Sequence, residues 1–282
     1  YGQDVDGVIG IDPVFLQYLL GLVGNVSLPD GTVVDGTNAA KVLMHDVYWN
    51  YPVEESDGIF ASVASAAFDK ILGGIGDVDV TKLVSAVERG AEEGRLIAWM
   101  RNDDEQNAIK ETGIDASLPD PDDPSADPVA GVYFNNLSFS KLDWYLNADT
   151  QIGQAVKNGD GTCSYRITVT LTNIMTQEEA GKLPDYVAAS APDAARDDER
   201  LNVSLFAPTG GNISDLTVEG TQFGLGAATW HGIPFYSGTV DLHAGETTTI
   251  TYTLTTSAEA GDKPLTLRQT PTCQAARDSA SA

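Results

Sequence analysis

The fourteen residues DASLPDPDDPSADP at 115–128 carry four prolines and five aspartates, and they constrain this chain more than any other stretch. Proline fixes φ and removes main-chain donors, so neither a helix nor an inner strand can run through the segment. Its charge and low hydrophobicity leave it nothing to bury, and it reads as a loop or linker. The residue patterns on its two sides differ. The sequence therefore predicts two domains, at 1–114 and 131–282, joined by a linker or loop at 115–130.

Ahead of the linker, apolar residues recur mostly at helical spacing. VDGVIGI reads as a buried strand, and Asp12-Pro13 starts a helix, with aspartate as the cap and proline in the first turn. Val14, Phe15, Tyr18, Leu19 and Leu22 follow at helical intervals. An Asp30-Gly31 turn separates two short extended pieces. A helix ends before Pro52, another carries Phe60, Val63, Ala67 and Ile71 on one face, and a third points Leu83, Val84, Val87 and Ala91 inward. RLIAWM reads as a buried strand.

Behind the linker the period changes to two. In CSYRITVTLTNIM, Tyr165, Ile167, Val169 and Leu171 fall on one face, and Arg166, Thr168, Thr170 and Thr172 on the other. Similar runs separated by turn residues continue to PLTLRQTPTC, the pattern of an antiparallel β-sandwich. The fold class is α+β: an N-terminal α/β domain with a mixed sheet, then an Ig-like sandwich.

Lys plus Arg is 16 against 41 Asp plus Glu, a formal charge of −25 that repels nucleic acid and anionic lipid surfaces. No stretch approaches the roughly 18 apolar residues of a membrane-spanning helix. The two cysteines, Cys163 and Cys273, are read as one disulfide, with two buried thiols as the alternative. Closing a loop of about 100 residues, such a bridge contributes roughly 4 to 5 kcal/mol, and it places the chain outside the cytoplasm.

Catalytic signatures are missing. No nucleophile elbow, S-x-x-K motif or phosphate-binding loop occurs. The three histidines have no metal-ligand spacing, so no metal, cofactor or catalytic residue is assigned. His45 and Asp46 are adjacent on a helix, where side chains diverge by about 100°, so no dyad is expected. The aromatic run YWNY at a helix end is the best ligand-contacting candidate. It gives an expected binding set of Asp46, Tyr48, Trp49 and Tyr51.

DGVIGIDPVFLQYLL, LPDG at 28–31, DVYWNYP at 46–52, GVYFNN at 131–136, KLDWYL at 141–146, VTLTN at 169–173 and PLTLRQTPTC near the end carry a resemblance. On these pieces the chain resembles a family of uncharacterised bacterial envelope proteins, domain of unknown function 4012. The resemblance implies a membrane anchor and a long helical region ahead of the matching part. The chain is then the extracytoplasmic C-terminal part of an anchored protein, with an α/β domain incomplete at its N-terminus. The family brings no established catalytic residues.

GVIGID, FLQYLL and the strand around Gly24-Asn25-Val26 are also similar, at a distance, to the LytR-CpsA-Psr phosphotransferases, which act on polyprenyl-pyrophosphate-linked glycopolymers. Such enzymes need arginines for the pyrophosphate, and the corresponding stretch at 45–70 has none. The expectation is a non-catalytic module of the cell envelope whose partner is a cell-wall glycan or an envelope protein. A divergent phosphotransferase and a structural stalk or adhesion domain are the alternatives.

Overall fold

The computed structural model describes residues 4–28, 30–219 and 226–275. They form two compact units. One is built from the residues up to Ser117 together with those from Cys273 onward, the other from Leu118–Thr272.

In the first unit, β1 (Gly7–Ile11) leads into α1 (Pro13–Val23). Asp12 caps that helix as the sequence predicts: its Oδ1 accepts from the Phe15 amide at 2.7 Å, and Pro13 fills a first-turn site needing no donor. A hairpin of β2 (Val26–Ser27) and β3 (Val33–Val34) follows. The run 39–50 is then one helical path with a wide turn in the middle: α2 (Ala39–Lys41), a π turn over Val42–Asp46, and α3 (Val47–Asn50). α4 (Val53–Gly74), α5 (Val80–Glu92), β4 (Leu96–Met100) and α6 (Asp103–Thr112) complete the unit. Its core gathers Leu20, Val26, Val34, Val42, Val47, Val63 and Ala67.

Three expectations change here. The described strands of this unit pair only antiparallel, β1 with β4 and β2 with β3, so there is no mixed sheet among them. β1 is not buried: Val8, Ile9 and Ile11 are exposed. An uninterrupted apolar run is compatible with burial on both faces, but burial requires neighbours that a two-stranded sheet lacks. On α5, Val84 and Val87 face outward, while Gly90 is buried where the Phe15 ring would collide with any added Cβ, at 2.4 Å.

The second unit is a sandwich of two five-stranded sheets. Its strands are β5 (Val129–Asn136), β6 (Leu146–Ile152), β7 (Val156–Lys157), β8 (Cys163–Asn173), β9 (Glu199–Phe206), β10 (Asn212–Glu219), β11 (Gly226–Trp230), β12 (Ile233–Leu242), β13 (Thr247–Thr255) and β14 (Thr266–Gln269). A one-turn helix, α7 (Gln177–Ala180), lies between β8 and β9. One sheet runs β10-β13-β8-β6 with β7 beside β8, the other β11-β12-β9-β5-β14. Tyr165, Ile167, Val169 and Leu171, with Ile250 and Leu254 of the same sheet, share one core with Val203, Leu205 and Val240 of the other. The expected antiparallel order has one exception: β14 pairs parallel with β5, Thr266 opposite Val129.

The Pro/Asp segment is held against this unit. Thr209 donates to the Asp120 carbonyl at 3.0 Å and Lys263 to the Ser125 carbonyl at 2.7 Å. The aspartates fold it locally, Asp120 Oδ1 accepting from the Asp122 amide and Asp123 Oδ1 from the Ser125 amide.

The expected disulfide is not formed. Cys163 and Cys273 are both buried thiols. Cys163 lies in the sandwich with Sγ 3.8 Å from the Gly261 carbonyl, and Cys273 lies in the first unit with Sγ 3.2 Å from Met44 Sδ. Spacing along the chain says nothing about such separate packing sites, and the compartment argument from a bridge loses its footing.

Tyr252 gives a stability prediction. It is fully buried in the sandwich core and its hydroxyl has no hydrogen-bond partner. Burial alone raises its pKa. Tyr252→Phe removes a desolvated, unpaired group and keeps the ring, so the variant should gain about 1 kcal/mol in urea unfolding. A loss of stability would mean that the hydroxyl is bonded.

Candidate functional site

The first unit holds a cleft of about 340 Å³ lined by Leu28, Asp30, Tyr51, Glu55, Gly58 and Ile59. Local structure places each wall. The Leu28–Thr32 turn closes through Leu28 N–H to the Thr32 carbonyl at 2.8 Å and Gly31 N–H to the Leu28 carbonyl at 2.9 Å, with Gly31 at φ +90°. That φ suits glycine. Asp30 Oδ1 accepts from the Thr32 amide at 2.9 Å, which leaves the carboxylate at the rim. Tyr51 ends α3 in extended backbone because Pro52 follows. α4 then restarts and brings Glu55, Gly58 and Ile59 to the same opening.

Tyr51 donates its phenolic proton to Asp30 Oδ2. That bond, with the Thr32 amide, holds the Asp30 carboxyl below the usual carboxylate range, and the same bond raises the Tyr51 pKa. The cleft thus offers one aromatic ring, an anionic acceptor already oriented by it, a second carboxyl and an apolar floor.

Of the four residues proposed from the sequence, Tyr51 alone lines this cleft. Tyr48 packs on Phe60 at 5.4 Å between ring centroids. Trp49 stacks on His45 at 5.3 Å, the planes 20° apart. Asp46 accepts from His45 Nδ1 at 2.7 Å and from Lys41 Nζ. The His45–Asp46 contact corrects the expectation that these neighbours diverge. They sit in the π turn, which winds less per residue than an α-helix and lets adjacent side chains meet. Burial pushes the Asp46 pKa up, but the bonds from His45 and Lys41 outweigh it and leave the pKa lowered. Asp30 and Glu55 escaped the sequence reading: Asp30 looks like turn chemistry, and nothing local links position 30 to position 51.

Arginines gather elsewhere in this unit. The buried Arg95 bonds Asp12 Oδ2 through NH1 at 2.7 Å and Glu93 through Nε. Arg89 bonds Glu93 at 2.7 Å and lies 4.1 Å over the Tyr18 ring. Burial and the bond to Glu93 push Tyr18 up to about 12. Each guanidinium is already matched by a carboxylate.

The sandwich carries a narrower apolar slot lined by Leu118, Pro119, Tyr133, Phe206, Trp230 and Ile233 among others. Phe206 stacks on Phe235 at 4.7 Å. Among the described residues no charged side chain lines it.

Residues 1–48 match the model of a family described as Protein of unknown function (DUF4012). The match covers DGVIGIDPVFLQYLL and LPDG, and it supports the resemblance on that part of the chain. It takes in Asp30 and stops short of Tyr51 and Glu55. No curated protein matches the chain. Among the described residues, no helix is long and apolar enough to cross a membrane, and no three His, Cys, Asp or Glu side chains come together to hold a metal.

Proposed function

We propose that this chain is the extracytoplasmic binding module of a membrane-anchored cell-envelope protein, and that its Tyr51 cleft takes a hydroxyl-rich ligand, a cell-wall glycan. The observation that carries the reading is the pairing of Tyr51 with Asp30 beside Glu55, over a floor of Leu28, Gly58 and Ile59. A sugar ring offers apolar C–H faces and hydroxyl donors. An aromatic ring with converging carboxylates is complementary to both. The family match at 1–48 and the acidic surface are compatible with an envelope protein.

The phosphotransferase alternative draws no support from Arg95 and Arg89, which are held by Asp12 and Glu93 rather than aimed into the cleft. A pyrophosphate would also meet two carboxyls there.

Titration of the chain against a panel of cell-wall oligosaccharides tests the reading. Tyr51→Ala should weaken binding at least tenfold, about 1.4 kcal/mol, measured on protein shown by circular dichroism to be folded, since the ring also packs on the core. Silence across the panel, or equal binding by the variant, would sink it.

A further inference from the structure

The hydrogen-bonding groups of the Tyr51 cleft are one-sided. Among its described lining residues, the side chains are those of Leu28, Asp30, Tyr51, Glu55 and Ile59, with Gly58 between them. Of these only the Tyr51 phenol is a committed donor, and it is spent on Asp30 Oδ2. Main-chain donors around the opening are spent as well. Leu28 N–H goes to the Thr32 carbonyl, Gly31 N–H to the Leu28 carbonyl, Thr32 N–H to Asp30 Oδ1 and Glu55 N–H to the Pro52 carbonyl. What these side chains offer a ligand is acceptors, the remaining lone pairs of the carboxyl groups and of the phenolic oxygen.

Charge in the cleft is one-sided too. Elsewhere in this unit carboxylates meet cations: Asp12 meets Arg95, Glu93 meets Arg89, and Asp46 meets Lys41. Among the described residues no lysine, arginine or histidine pairs with Asp30 or Glu55. The bonds from Tyr51 and Thr32 favour the ionised form of Asp30. Beyond the helix backbone around it, nothing lies within 4 Å of where a Gly58 Cβ would sit, so the floor has room. An N-acetyl carbonyl, a carboxylate or a phosphate needs donors, which these side chains do not supply. A protonated amine brings three donors and a positive charge.

We propose that the Tyr51 cleft selects an amino sugar, a hexosamine unit whose nitrogen is a free ammonium rather than an N-acetyl group. The inference rests on the glycan reading of the same cleft. The ammonium takes the side of Asp30 and Glu55, and the apolar face of the sugar lies on Tyr51, Leu28 and Ile59. The sugar hydroxyls donate to the lone pairs that remain.

The test is a calorimetric titration of the full chain with a glucosamine tetramer bearing free amines and with its N-acetylated counterpart, in buffer that keeps the amine protonated. The free-amine tetramer should bind at least about tenfold tighter, the worth of a hydrogen bond to a charged group. Glu55→Gln should shrink that ratio, and adding Asp30→Asn should bring it close to unity. Both positions are exposed and both changes keep side-chain shape, so the fold should tolerate them. Equal or tighter binding of the N-acetylated tetramer would overturn the proposal and leave the glycan reading standing. Binding of neither tetramer, nor of any other cell-wall oligosaccharide, would remove both. A ratio unchanged in the double variant would also overturn it. So would tetralysine binding as tightly as the free-amine tetramer, because the attraction would then belong to the −25 of the whole chain.

Discussion

Asp12→Ala should destabilise the first unit by about 3 kcal/mol, well beyond the loss of a helix cap. The cap alone is worth about 1 kcal/mol, through Asp12 Oδ1 and the Phe15 amide. The other carboxylate oxygen holds Arg95 NH1 at 2.7 Å, and the Arg95 side chain is only 5% exposed. A hydrogen bond to a charged group adds about 1.5 to 3 kcal/mol, and deleting the acid leaves a buried guanidinium with Glu93 as its remaining carboxylate. Asp12→Asn separates the two roles, because its amide oxygen still caps while the charge is gone. Urea unfolding should rank wild type above Asp12→Asn above Asp12→Ala. Equal values for wild type and Asp12→Asn would mean that Arg95 takes nothing from this pair.

Glu199→Gln should act in the opposite direction, and increasingly so as pH rises. Glu199 is fully buried in the sandwich, with Oε2 unpaired and Oε1 at 3.4 Å from Asn136 Nδ2. Burial first, then the neighbouring Asp143 and Asp198, push its pKa well above the ordinary glutamate value. Asp143 keeps much of its surface in solvent but turns Oδ2 toward the same Asn136 amide at 3.2 Å. The folded state therefore retains a proton that the unfolded chain releases above its ordinary glutamate pKa. The associated stability is complete below that pKa and is lost as pH climbs through the raised folded-state value. Wild type should unfold more easily at pH 8 than at pH 5. Glu199→Gln removes that part of the slope and should exceed wild type at pH 8 by about 1 to 3 kcal/mol, the cost of a buried unpaired polar group. Parallel pH profiles for the two proteins would show that Glu199 does not titrate in this range.

What could be read from the sequence was local. The Asp12-Pro13 start, the Asp79 cap over the Thr81 amide and the inward face from Tyr165 to Leu171 follow from residues a few positions apart. What could not be read depends on partners far along the chain. GVIGI looks the same whether or not a neighbour covers it. The Tyr51 cleft needs Asp30 and Glu55 to arrive from a turn and from a second helix. Glu199, in the strand pattern ERLNVSLF, carries no local sign that it points into the core toward the Asn136 amide.

The parallel pairing of β14 with β5 bears on how the chain is made. β5 opens the sandwich and β14 closes its second sheet, Thr266 beside Val129. Cys273 then belongs with the first unit, near Met44. On a ribosome, β5 leaves the exit tunnel long before its last neighbour is synthesised, so neither unit can finish until residues 266–273 have been made. Contacts this distant in sequence form slowly, and a chain stalled before residue 266 would display an unpaired β5 edge, a template for misassembly during biosynthesis.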